Sequence, residues 1–597
     1  MDQQINRIYR EFYSKYSAKQ QRLKKKLNFL AISRVLVFVL AIYVGYLLIK
    51  MNVLLGIMAA IALLTLFIIL VISHLKNKDT LMLIKNLIAI NTGEIEALRG
   101  NFSNLPDGEE FKDFSHNYSN DLEIFGERSL FQFLNRTCTY AGKNKLAHWL
   151  RNPLKSEAEI TDRQESLHEL SERLSWRQQF LAIGQKLSLN QYNDTQLIVW
   201  SKEQPMLSKS MVYQALRWIL PAITLTMLGL FIYGSLASGY LVLMLLLNVL
   251  VYMNVASKIK YQHRKVTEQI PALRNYSQLL SHLEDQNYKT HHLRKLKSHL
   301  LLDKHKSSRI IRKLFRISDA LDNRYNMLAA IMMNLFFMWD IHQVIRLEKW
   351  HKHYSKYIEG WIETIGIFDA MLSLANYRYN HPAFTFPKIT EESTLQATGL
   401  GHPLINEDKR VTNDFHIAKK GDIRIITGAN MAGKSTFLRT IGVNVVLGMI
   451  GAPVCAGQFE CGYKTLFTSM NITDSLSKNE SYFYAEIKRL RQLIDQAMHP
   501  ENMLVLLDEI LTGTNTHDKE KASKAFLERL INMQVTSIIA THDLSLTNLE
   551  EKYPDCIYNQ RFEVELENGT MHYDYRLKDG IAQNMNALEL LKQMNLI

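Results

Sequence analysis

Residues 423–436 read Ile-Arg-Ile-Ile-Thr-Gly-Ala-Asn-Met-Ala-Gly-Lys-Ser-Thr. The apolar run Ile423 to Thr427 leads into Gly428-Ala429-Asn430-Met431-Ala432-Gly433-Lys434-Ser435-Thr436 and then into a helical pattern. This is strand, G-x-x-x-x-G-K-S, helix. The glycines let backbone N–H groups close around phosphates, and the helix N-terminus adds positive potential. Lys434 then reaches the β/γ-phosphates, and the Ser435 hydroxyl is a ligand for Mg²⁺.

Two further strands carry chemistry to the same place. Met503 to Leu507 is apolar and ends in Asp508-Glu509. A carboxylate at such a strand end holds Mg²⁺ through water, and Glu509 beside it can orient and deprotonate an attacking water. Ile538-Ile539-Ala540-Thr541 delivers His542 to the same sheet edge, where ligands bind in α/β folds, so His542 is placed to sense the γ-phosphate or the attacking water. Together these motifs point to hydrolysis of ATP with Mg²⁺, beyond mere nucleotide binding. Glu509, His542 and Lys434 are the catalytic candidates.

At 597 residues the chain is too long for one core. Its 47% hydrophobic and 22% charged residues exclude a mostly disordered protein. Lys+Arg of 71 against Asp+Glu of 58 leaves +13, a balance that favours nucleic acid or an anionic membrane face as partner. Cys138, Cys455, Cys461 and Cys556 show no CxxC pairing, which argues for a reducing compartment and against a disulfide framework or structural zinc.

Hydropathy adds membrane segments. Val35 to Ile49 and Val53 to Ser73 are nearly free of charge and separated only by Lys50, Met51 and Asn52; Trp218 to Leu236 and Tyr240 to Ala256 form a second such pair. Each pair reads as a transmembrane helical hairpin. Lys24, Lys25, Lys26 and Arg34 before the first hairpin, Lys76 and Lys78 after it, and Arg217, Lys258, Lys260, Arg264 and Lys265 around the second put every flank on the cytoplasmic side. Met327 to Trp339 is apolar but short and interrupted by Asn334, and reads as a buried helix in preference to a membrane segment. At the N-terminus Ile5, Ile8, Phe12 and Tyr16 share one helical face among basic residues, a pattern for either a membrane surface or a docking helix.

Between the hairpins and the nucleotide motifs the chain is helix-rich. Lys289 to Lys313 holds Lys289, Arg294, Lys295, Lys297, Lys304, Lys306, Arg309, Arg312 and Lys313 against the single acid Asp303. Three readings stand: a solvated face, phosphate contacts to nucleic acid, and attraction to anionic headgroups.

The strings Thr427 to Thr436, Asp508-Glu-Ile-Leu-Thr-Gly-Thr-Asn-Thr516 and Ala540-Thr-His-Asp543 resemble those of the MutS family of DNA mismatch-repair ATPases, a branch of the ABC-type ATPases. Gly401-His402-Pro403 and Asn413-Asp414 look like that family's lead-in to its ATPase domain. Trp149 to Leu154 with Ile160, Arg163 and Gln164 is similar to the start of its core domain, and Gly366 to Ala375 to its returning lever helix. The resemblance implies a homodimer through the ATPase domains, with Ser481 in the loop Asp474 to Glu486 contacting the opposite subunit's nucleotide, and duplex or branched DNA as partner. Departures are equally plain. Phe125-Gly126-Glu127 repeats the letters of the family's mismatch wedge but stands at the entry to the core domain, and a membrane hairpin replaces the mismatch-reading domain. Leu476-Ser-Lys-Asn-Glu480 lacks both glycines of a transporter's LSGGQ signature.

The expected architecture is an α plus α/β multidomain membrane protein with a C-terminal P-loop, ABC-type ATPase domain. It runs as a basic amphipathic segment (1–27), a transmembrane hairpin (28–75), a linker (76–117), a MutS-like helical core and lever domain (118–388) with the second hairpin inserted at 217–257, and the ATPase domain (389–597). The expected location is the inner, cytoplasmic membrane, with the soluble domains facing the cytoplasm. The expected function is an ATPase coupled to DNA binding in repair or recombination. The alternative is an ATP-dependent membrane scaffold or ABC-like transport or remodelling ATPase without DNA.

Overall fold

The computed structural model describes residues 2–51, 53–188, 194–204, 206–302, 305–322, 327–463, 465–470, 482–498, 502–511, 515–567 and 570–583. Two long helices open the chain, Asp2–Met51 and Val53–Leu98, packed side by side. Their charge-free middles expose Leu36, Ile42, Ile57, Ile61 and Ile68. Outside that stretch they become amphipathic. Ile5, Tyr9 and Tyr16 are buried in clusters with Leu174, Ile84 and Ala182, so the N-terminal face docks on protein. Residues 76–98, expected as the start of a linker, continue the second helix unbroken. Ile84, Leu87, Ile90 and Ala97 recur there on one buried face, and the helix lies against Leu174–Ser188.

The second hairpin is Met211–Ile232 and Ser238–Glu284. Its second helix runs on into the helical middle, where Tyr276, Leu279, Leu280 and Leu283 are buried. Among the described residues, four helices are long and apolar enough to cross a membrane. Met327–Phe337, expected to be a buried helix, instead exposes Ile331, Met332 and Phe337, because it lies against the second hairpin and not inside the protein core.

The middle of the molecule is built around Ile358–Asn380, a largely buried helix that crosses Tyr140–Arg151. The crossing is close: a Cβ on Gly366 would lie 2.9 Å from the Ala141 carbonyl carbon. Asp369 of the longer helix accepts from the backbone N–H groups of Cys138 (3.0 Å) and Thr139 (2.8 Å) and from the Thr139 hydroxyl (2.7 Å), tying down the chain that enters the shorter one. Phe125 is buried with ring centroids 5.8 Å from Phe111 and 5.5 Å from Phe131, so it is core and not a projecting wedge.

Residues resembling the core-domain start are what join this middle to the C-terminal domain. Leu154 N–H donates to Met449 O at 3.1 Å, Arg163 Nη1 to Ile450 O at 3.1 Å and Gln164 Nε2 to Pro387 O at 2.9 Å. Met449 and Ile450 end the helix Lys434–Met449, whose last carbonyls need partners. The Arg163 guanidinium also lies 3.8 Å from the centroid of Trp149.

The C-terminal domain holds two sheets. The larger one orders its strands as Thr570–Asp579, Ile557–Glu567, Ile423–Thr427, Thr536–Thr541, Met503–Asp508 and Thr465–Ser469, all parallel except the first. Its central strands are buried on both faces, as parallel strands covered by helices are. A smaller sheet comprises Lys388–Ile389, Gln458–Cys461, Leu395–Leu400 and Asn413–Ile417.

Candidate active site

Parallel register brings the sequence motifs to one edge. Thr427 pairs with Thr541, and Ala540 with Asp508, so the glycine loop, Asp508-Glu509 and His542 all leave the sheet at its carboxyl edge. The glycine loop turns through Met431 (φ +65°) and Gly433 (φ +105°) into the helix Lys434–Met449, whose first N–H groups face the same edge. Gly428 is required by close approach, since a Cβ there would lie 2.7 Å from Phe562 O.

Lys434 is buried, and its ammonium donates to Gly428 O at 3.0 Å and Ala429 O at 3.1 Å. Burial pulls its pKa below the usual lysine value, against the opposing pull of Asp508 and Glu509. The Ser435 hydroxyl hydrogen-bonds the Asp508 carboxylate. Burial raises the Asp508 pKa, and its Oδ1 has no hydrogen-bond partner. An orphaned carboxylate oxygen beside a hydroxyl is a hard-oxygen donor set suited to Mg²⁺, which takes few protein ligands.

Glu509 sits at φ +49°, a costly backbone state for a residue with a side chain, and its N–H is pinned to Ala540 O at 2.9 Å. Leu511 is also left-handed (φ +58°), and its N–H is held by the Glu486 carboxylate. This strained turn directs the Glu509 carboxylate to His542, with Oε1 3.0 Å from Nε2. The bond from His542 holds the Glu509 carboxyl below its usual range, so it is ionised at neutral pH. Lys434 Nζ lies 3.1 Å from the same His542 nitrogen, which can donate to Glu509 or accept from Lys434 but not both at once.

Lys434, Ser435, Glu509 and His542 line one cavity of about 400 Å³, with Asp508 bonded to Ser435 beside it. Sequence reasoning missed its other walls: Ile405 and Val411 on one side, Phe562 and Tyr575 on the other. Only His402 and Asn413 were visible, as parts of lead-in strings. Burial, with help from Arg439 and Arg410, pushes the His402 imidazole down to about 4, so this side chain is neutral. Asn413 fastens the wall by donating to Tyr575 O (3.1 Å) and accepting from Leu577 N–H (2.8 Å). Ser481, the residue expected to act across a dimer, lies outside the described residues, as do the rest of 471–481 and 512–514.

What the fold and edge define is an α/β domain with a glycine loop, a lysine, a strand-end carboxylate pair and a histidine converging on one cavity. Residues 424–596 match the family described as MutS domain V. "DNA mismatch repair protein MutS" of Thermotoga neapolitana is 32% identical over 218 residues, covering 36% of this chain and 26% of that protein. "MutS protein homolog 4" of Homo sapiens is 30% identical over 239 residues, covering 38% and 24%. "DNA mismatch repair protein msh3" of Aspergillus oryzae is 27% identical over 245 residues, covering 39% and 22%. The chain thus spans about a quarter of the length of these relatives. The likeness to the MutS family thus lies in the C-terminal part of the chain, which carries its domain V.

Proposed function

We propose that this chain is a membrane-held MutS-type ATPase that hydrolyses MgATP in a dimer of its C-terminal domains and couples the cycle to binding of duplex or branched DNA. The observation that carries the ATPase reading is the convergence of Lys434, Ser435, Glu509 and His542 on one cavity, with Asp508 bonded to Ser435. Ile405, Val411, Phe562 and Tyr575 offer an apolar slot for the base, while the glycine loop and Lys434 hold the phosphates. Ser435 and Asp508 would hold Mg²⁺, which neutralises charge developing on the phosphates when bound. Ionised Glu509 accepts the proton of the attacking water, and His542 keeps that carboxylate oriented.

Membrane attachment rests on four long helices whose apolar side chains stand exposed. DNA as partner rests on the family and on where the basic segment lies. Its Arg294 and Lys295 are exposed near Glu284, about 40 Å along the helix from Ala256 at the end of the apolar stretch. That exceeds by far the roughly 8 Å over which headgroup charge is felt at physiological salt, which favours phosphates of nucleic acid over lipid. Part of the segment is spent internally: Lys306 pairs with Asp285 and Lys297 donates to Gln286 O.

One observation favours a scaffold or remodelling ATPase as the second reading. Glu94 of the first hairpin's helix is bonded by Asn376 (3.0 Å) and Asn380 (2.8 Å) of the lever helix, a path by which the ATPase cycle reaches the membrane. The two readings separate in a binding experiment: fluorescence anisotropy of homoduplex, mismatched and branched DNA with the full chain in lipid nanodiscs, with and without ATP, over a salt series. Affinity that falls with salt supports the DNA clamp. No binding at low salt leaves the scaffold.

A further inference from the structure

The helix Met327–Phe337 carries no charged residue, and its exposed face is made of Ile331, Met332 and Phe337. Its only polar side chain is turned away from that face. Asn334 is buried, its Nδ2 donating to Ala330 O at 2.9 Å and its Oδ1 accepting from Asp340 N–H at 2.9 Å. A face so stripped of polar groups is costly in water.

Its neighbours say where it sits. Asn248 Nδ2 donates to Leu335 O at 2.7 Å and to the Thr224 hydroxyl at 2.9 Å, joining this helix to both helices of the second hairpin. Asn248 lies about 15 Å along its helix from Ser238 at the far turn, half the thickness of a hydrocarbon core of roughly 30 Å. Around it Leu250, Leu247 and Leu243 are exposed on the hairpin. After Phe337 the chain breaks at Met338 (φ +48°), and Asp340 of the next helix accepts from the Tyr252 hydroxyl at 3.2 Å, one turn nearer the cytoplasmic flank.

We propose that Met327–Phe337 is a membrane-embedded half-span: it enters the leaflet on the Lys258 side, seats its end on Asn248 near mid-bilayer and turns back at Met338, with lipid chains covering Ile331, Met332 and Phe337. The occupant is hydrocarbon because the exposed face is continuous with the lipid-facing surface of the hairpin it packs on. Asn248 and Thr224 then act as the polar clasp that holds the three helices together, bonds that hydrocarbon offers no competitor for. This rests on the membrane reading proposed above for the hairpin, and it adds a membrane element that hydropathy alone does not mark.

The test is depth-dependent quenching in the full chain, with Cys556→Ser as background, reconstituted in vesicles of phosphatidylcholine and phosphatidylglycerol. A polarity-sensitive thiol label is placed singly at Met332→Cys and Ile331→Cys, at Leu243→Cys on the hairpin and at Lys295→Cys on the basic helix. Acyl-chain spin-labelled lipid is the quencher. The expected result is quenching at positions 331 and 332 at least about half as strong as at 243, with none at 295. Quenching at 243 with none at 331 and 332 overturns the half-span and leaves the hairpin standing. No quenching at 243 brings down the membrane reading itself, and the half-span with it.

Discussion

Glu509 is the residue on which the proposed hydrolysis turns, and its setting is distinctive. The strand ends at Asp508, the backbone passes through positive φ, and the carboxylate meets His542 at 3.0 Å. Glu509→Gln keeps the shape and removes the proton acceptor. ATP binding should persist while kcat falls about 10²- to 10⁴-fold, checked by nucleotide binding and steady-state phosphate release on the same preparation. Lys434→Ala removes a charge-assisted donor buried at the phosphate end of the cavity, so it should weaken ATP binding itself, by about tenfold to a hundredfold in Kd measured by titration calorimetry. That these residues meet at one sheet edge was legible because each motif is local in sequence: a glycine loop, a lysine and a strand-end carboxylate are each read within a few positions. Phe562 and Tyr575 were not legible, since an aromatic in a strand looks the same wherever the strand lies. Phe562 reaches the glycine loop through the pairing of Ile557–Glu567 with Ile423–Thr427, and Tyr575 through the pairing of Thr570–Asp579 with Ile557–Glu567.

At the scale of elements, the helix Ile358–Asn380 is bonded through its buried polar side chains. Asp369 anchors Thr139, and Asn376 and Asn380 reach Glu94, whose other partner is Arg136 at 2.6 Å. Burial would raise the Glu94 carboxyl, but Arg136 and the two amides outweigh it and hold the group below its usual range. Arg136→Ala therefore strands a buried carboxylate and should cost about 3 to 5 kcal/mol in unfolding free energy. Adding Glu94→Gln should recover a good part of that, a sign of charge burial that chemical denaturation of the two variants can read. Asp369 runs the other way, its pKa raised by burial from 3.8 to about 6. The unfolded chain ionises this group first, so stability falls as pH rises from about 4 to 6, by about 3 kcal/mol across that window. Thermal unfolding of the wild type and Asp369→Asn across pH 4 to 7 should show the gap between them narrowing as pH rises. None of these bonds was legible, because partners such as Glu94 and Asn380 stand far apart in sequence. What faces what is a property of the packing. The helical stretch 76–98 was missed for a related reason: its buried face includes the polar Asn91 and Glu94, and nothing local says that Leu174–Ser188 will pack on it.

At the scale of the whole molecule, a MutS-type domain is joined through Arg163, Gln164 and Leu154 to a helical body that carries four membrane-length helices. Two of them, Val53–Leu98 and Ser238–Glu284, pass from apolar stretch to protein core without a break, so the proposed membrane segments and the helical body share continuous helices. Lipid around the hairpins should therefore matter to turnover, and DNA should act through the basic helices at the far end of the same body. The most direct measurement is steady-state ATP hydrolysis by the full chain in lipid nanodiscs, with and without homoduplex, mismatched and branched DNA, over a salt series. The account predicts hydrolysis abolished by Glu509→Gln and stimulated by DNA to a degree that declines as salt rises. Robust hydrolysis indifferent to every DNA at every salt concentration would contradict the DNA clamp, and wild-type rates in Glu509→Gln would contradict the site itself.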